Sequence, residues 1–359
     1  MALSKIPSAG FQDNVKFRNI IINGDMSIAQ RGTSETGISN TTGYFTCDRW
    51  RFLTSGTGTW TQSQSTDVPS GQGFANSIKL DCTTSNTQSS ADYLMLNYNI
   101  EGQHIQYLKK GTSNAESLTV SFWTKSNKTG TYTFELDDTD NNRSISKTYT
   151  VDSANTWEKK TITIEGDTTG TLDNDNNKSL RFYFWFSAGS GYTSGTLQTS
   201  WQSTTDANRV SSSNVYLGDS TNDEVYITGV QLEAGTTASD FEFLPHDVNR
   251  RRCDRYFQRI LSDSAYTAFG AGTVYSSTIA PTFIPYRLEM RSSPTFSVSN
   301  LTFTQGDASR AVTSVSSTNA GKSSLYIDLV CSSGMTVGRG GIVVASNNTG
   351  SYIQMDAEL

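Results

Sequence analysis

Runs in which apolar and polar side chains alternate one for one constrain this chain more than any other feature. Leu118, Val120 and Phe122 share one parity, while Ser117, Thr119, Ser121 and Trp123 take the other. That is the pattern of a strand with one face on a core. Tyr132, Phe134 and Leu136 repeat it against Thr131, Thr133 and Glu135, as do Ile162 and Ile164 against Thr161 and Thr163. Leu180, Phe182, Phe184 and Phe186 lie opposite Arg181, Tyr183 and Trp185. Loops with turn chemistry separate the runs at 127–130, 137–142 and 173–177. Strands of this kind imply two packed antiparallel sheets, hence a β-sandwich or jelly roll.

Composition agrees. Of 359 residues only 35% are hydrophobic and 17% charged, with aromatics at 11%; Ser, Thr, Asn and Gly fill the difference, which suits strands joined by long polar loops. A net charge of −6 gives no global field to attract nucleic acid or an anionic membrane. No stretch approaches the length of a membrane span, and the first residues lack the apolar core of a signal peptide. The four cysteines, Cys47, Cys82, Cys253 and Cys331, are scattered without metal-type spacing and read as free thiols of a protein made in a reducing cytoplasm.

Along the chain, residues 1–16 form a polar lead segment suited to docking on a neighbour. Residues 17–245 form the first β domain. Within it, Ile20, Ile21 and Ile22 read as an opening strand before an Asn23-Gly24 turn. Val225 and Ile227 share one parity and Val230 and Leu232 the other, so Gly229 marks a bulge in the closing strand. Residues 246–260 read as a linking helix with Asp247 as its N-cap, because Cys253, Tyr256, Phe257 and Ile260 recur at helical spacing. Residues 261–359 return to short strands and form a smaller β domain.

The wording of several segments is more specific than their pattern. Asn23-Gly24-Asp25-Met26, Ala29-Gln30-Arg31-Gly32-Thr33 and Asp48-Arg49-Trp50 occur in that order, and together they resemble the opening of phage virion proteins. The stretch 224–245, the phrase Arg252-Cys253-Asp254-Arg255-Tyr256-Phe257-Gln258, the segment 283–294 and the final residues are similar to later parts of the same proteins. Residues 51–215 match only as a pattern. The first and last strands of the N-terminal domain also resemble those of jelly-roll carbohydrate-binding modules. The resemblance thus implies an all-β chain with an N-terminal jelly-roll β-sandwich, one linking α-helix and a smaller C-terminal β-sandwich. It implies a virion protein of the tail, a tail fibre or receptor-binding subunit attaching to a host surface polysaccharide. Other virion proteins and two further copies in a homotrimer would be its partners, without nucleic acid or membrane insertion.

The candidate chemistry is sparse. His104 and His246 have no nearby nucleophile or base partner in the sequence. Asp137, Asp138, Asp140, Asp173 and Asp175 sit in turn-like loops; they suit turn chemistry, calcium or, as paired carboxylates, glycan hydrolysis. The jelly-roll resemblance would put a structural calcium on Asp25 and Glu224, although Thr228 stands where an aspartate is often seen. Trp123, Tyr183 and Trp185 occupy the outward parity, with Arg181 beside them; such rings either stack on sugar faces or pack under a loop or an oligomer interface. The expectation is a non-enzymatic glycan-binding face on Trp123, Arg181, Tyr183 and Trp185. A purely structural fibre adaptor or decoration protein and a polysaccharide depolymerase are the alternatives.

Overall fold

The computed structural model describes residues 17–306, 308–316, 321–323 and 325–359. The first unit's strands are β1 (Ser34–Ile38), β2 (Thr41–Tyr44), β3 (Arg51–Ser55), β4 (Thr59–Ser65), β5 (Ser77–Thr84) and β6 (Tyr93–Glu101). They continue as β7 (Leu118–Ser126), β8 (Gly130–Asp138), β9 (Arg143–Val151), β10 (Glu158–Ile164), β11 (Lys178–Ala188), β12 (Gln202–Ser203) and β13 (Glu224–Ala234). One sheet runs β1-β4-β5-β13-β7-β10 and the other β12-β9-β8-β11-β6-β3-β2, all antiparallel. This is a jelly-roll β-sandwich. Its core is made by the apolar parities of the alternating runs: Val120, Phe122, Tyr132, Phe134, Phe182 and Phe184 are all fully buried. Phe122 meets Phe184 edge-on at 4.7 Å, and Tyr98 stacks on Phe182 at 5.6 Å, geometries worth about 0.5–1.5 kcal/mol each beyond the area they bury.

The opening segment departs from a regular strand. Residues 17–24 lie along β13, yet the Asn19 side chain replaces part of the ladder: its Oδ1 accepts from Leu232 N–H and its Nδ2 donates to Val230 O. The turn follows as read. Asn23 takes a left-handed φ of 60°, and a Cβ on Gly24 would sit 2.1 Å from the Val230 carbonyl oxygen, so this close approach requires glycine.

The linking helix covers His246–Asp254 only, entered from Pro245 with Asp247 inside its first turn rather than capping it. Phe257 already belongs to β14 (Phe257–Leu261), which pairs with the chain's last strand. Tyr256 and Phe257 are buried by that turn into the sheet, so their helical spacing is coincidental. The remaining strands are β15 (Ala268–Thr273), β16 (Ile279–Ile284), β17 (Thr295–Ser299), β18 (Leu301–Gln305), β19 (Ala308–Ser316), β20 (Leu325–Cys331), β21 (Gly340–Ala345) and β22 (Tyr352–Asp356). β14-β22-β17 form a three-stranded sheet, and β15-β16-β20-β19-β18-β21 close into a barrel. Ile353 and Met355 of the sheet share one core with Phe303, Ile327 and Val343 of the barrel, so the second layer of this unit is a barrel wall.

Candidate functional site

The residues of the three opening phrases converge on the junction between the two units. Trp50 is fully buried and its indole N–H donates to Asn23 O at 2.9 Å. The Asp48 carboxylate accepts from the Gln30 backbone N–H and side-chain amide, at 2.8 and 2.7 Å. Gln30 donates further to Asp254 Oδ1 and to Phe257 O. Arg49 is enclosed between Glu358, with which it pairs, and the Tyr256 ring 3.4 Å from its guanidinium carbon. Arg255 closes the far side with a two-point ion pair to Glu101, at 3.0 and 2.8 Å. Burial pushes the Asp48 carboxyl up to about 7 despite the opposing charge of Arg31. These phrases build a buried polar knot.

The four expected glycan contacts do not form one platform. Trp123 lies on β7 in one sheet, whereas Arg181, Tyr183 and Trp185 lie on β11 in the other. Trp185 is fully buried and Tyr183 nearly so, which corrects the expectation that both are exposed. The segment 189–215 covers them: Tyr192 packs 5.3 Å from the Trp185 ring, and Val210 joins the same small core. Beneath it Glu135, itself fully buried, accepts from the Trp185 indole N–H at 2.8 Å and from Arg209 at 2.8 and 3.0 Å. Arg181 is held by an ion pair to Asp137. The outward parity was right, and a loop uses it.

Asp25 and Glu224 are also apart. Asp25 Oδ1 accepts from Ser27 and from Asn249 Nδ2, while Glu224 pairs with Lys79 at 2.8 Å. Gly24 touches β13 at Val230, six residues beyond Glu224, a spacing of roughly 20 Å along a strand. They do not fit a shared calcium, and no group of three metal-type ligands occurs among the described residues. The acidic loops are consumed locally: Asp138 pairs with Lys110 and caps the turn at Asp140 and Asn141, and Asp140 accepts from Asp173 N–H.

Of the three expected rings, Trp123 is the one that stays partly exposed. It is half-buried on the outer side of its sheet, in a cleft of about 160 Å³. Phe74, Phe241 and Phe243 form one wall, their ring centroids 4.9–5.1 Å apart. Lys159, directly across from Trp123 on β10, Gln72 and Asp240 supply polar edges. The β13 bulge positions this wall. The ladder shifts register between Thr228 and Gln231, Gly229 takes a φ of 63°, and a Cβ there would meet Phe74 at 2.5 Å. Sequence pattern missed Phe74 and the Phe241/Phe243 pair because they come from irregular loops. Only the repeated Phe at 241 and 243 hinted at them.

A jelly roll with one aromatic cleft on an outer sheet face is thus what the fold and its surface define. No family model matches the chain, and no curated protein matches it. Among solved structures it is similar to the enzymatically active domain of tailspike protein 4 of bacteriophage CBA120, at 14% identity and TM-score 0.36, over 61% of this chain and 22% of that one. The chain thus spans under a quarter of that domain's length. It is similar to TmCBM61 in complex with β-1,4-galactotriose, at 12% identity and TM-score 0.32, over 60% of this chain and 99% of that one. A family 11 carbohydrate-binding module from Clostridium thermocellum, in complex with a β-1,3-1,4-mixed-linked tetrasaccharide, matches at 15% identity and TM-score 0.27, over 58% and 99%.

Proposed function

We propose that this chain is a phage virion protein, a tail-fibre or receptor-binding subunit, that attaches to a host surface glycan through the Trp123 cleft. The observation that carries the reading is the partly exposed Trp123 in an aromatic-walled cleft edged by Lys159, Gln72 and Asp240. A flat ring offers a stacking face for sugar C–H groups, and the polar edges offer donors and acceptors for hydroxyls. The protein acts as a binder. Asp240 is the one carboxylate in the cleft lining, whereas glycoside hydrolysis uses two. Made in the host cytoplasm and assembled into the tail beside other virion proteins, it works as a homotrimer, which multiplies a weak site by avidity.

The second reading, a fibre adaptor with no glycan site, draws on the junction, where the virion-like phrases serve packing. The discriminating experiment is binding of wild type and Trp123→Ala to arrayed bacterial surface polysaccharides, with oligomeric mass measured for both. Saturable wild-type binding, weakened at least tenfold in a variant of unchanged mass, supports attachment through this cleft. No wild-type binding, or equal binding by the variant, overturns it.

A further inference from the structure

An uncovered apolar surface lies elsewhere, on the outer wall of the C-terminal barrel. Ladder register places Ile342 beside Ala271, Ala271 beside Phe283 and Phe283 beside Tyr326, one residue from each of β21, β15, β16 and β20. All four side chains point outward and are exposed; Phe283 is 55% accessible and Tyr326 41%. Tyr275, at 74%, stands over the end of the same groove, whose volume is about 420 Å³. In a chain with 35% hydrophobic residues, an outward row across four neighbouring strands that is apolar throughout needs a cover.

We propose that this stripe is the surface through which copies of this chain associate. Three properties favour a second copy over other occupants. The row carries no charged side chain, so copies of a chain with net charge −6 meet there without bringing like charges together. The three rings alone expose on the order of 340 Å², and with Ile342 and Ala271 the stripe has the size of the apolar centre, rather than the whole, of an interface of ~800 Å² per partner. Its character is that of a homo-oligomer core, apolar and depleted of charge. A glycan finds little there to fix its orientation, since the groove offers the hydroxyls of Thr273, Tyr275 and Tyr326 but no carboxylate, amide or charged side chain. The stripe names the contact for the oligomer proposed above and is independent of the Trp123 cleft.

Sedimentation equilibrium of the full chain and of Phe283→Asp and Tyr275→Asp tests it, with near-UV circular dichroism as the fold control. Both positions are solvent-exposed, so a charge there leaves the core intact, and either variant suffices if the other fails to fold. The expected result is a wild-type mass of three chains of 39.2 kDa and at least a tenfold weaker association in a folded variant. A wild-type oligomer indifferent to both changes overturns the stripe while leaving the oligomer standing. A monomeric wild type overturns both, and the glycan arrays report on the cleft separately.

Discussion

Arg49 carries a full charge at 1% exposure, and its surroundings account for that. Glu358 supplies the counter-charge, Asn99 O accepts from its Nη2 at 2.7 Å, and the Tyr256 and Tyr98 rings flank it. Removing one partner of a buried pair strands the other, so Glu358→Gln should cost about 3 kcal/mol in denaturant unfolding. Its neighbour Asp48 predicts a pH effect of definite sign. Folding raises this carboxyl from 3.8 to about 7, so between those values the folded chain holds a proton that the unfolded chain releases. Its contribution to stability is complete below pH 4 and is lost as pH rises through 7. The melting temperature of wild type relative to Asp48→Asn should therefore fall from pH 4 to pH 7; parallel profiles would contradict this. None of this was legible locally, because the partners lie in sequence-distant segments such as Tyr256 and Glu358.

At the scale of elements, parity read the strands and their inner faces correctly. Phe122, Phe134 and Phe184 are inside, and Trp123, Tyr183 and Trp185 are on the outer sides. Parity says which way a side chain points and nothing of what lies over it. The segment 189–215 has no regular period, and its anchor is the fully buried Glu135 beneath Arg209 and Trp185. Trp185→Ala should cost about 3–5 kcal/mol in denaturant unfolding. Trp185→Phe should keep wild-type glycan affinity, a result that sets it apart from Trp123→Ala in the same binding assay. The bulge was legible because Gly229 stands where the parity of β13 switches. The cleft wall it supports was not, since Phe74 reaches it from a glycine-rich loop.

Across the whole molecule, the last residues return to the first unit. Leu359 O accepts from Tyr44 Oη and Asn99 Nδ2, and Arg31 pairs with Asp356 at 3.0 Å. Asn176 and Arg291 bond each other's backbone across the same junction. The two units should therefore unfold in one calorimetric transition, and deletion of residues 357–359 should split it into two. The central claim is that the outer sheet face at Trp123, and not the face beneath segment 189–215, receives a host glycan. The most direct measurement is a glycan titration followed by the indole N–H resonances of the six tryptophans, each assigned by substitution. The account predicts that the Trp123 signal shifts saturably while that of Trp185 stays in place. A shift at Trp185 with Trp123 unmoved would contradict it.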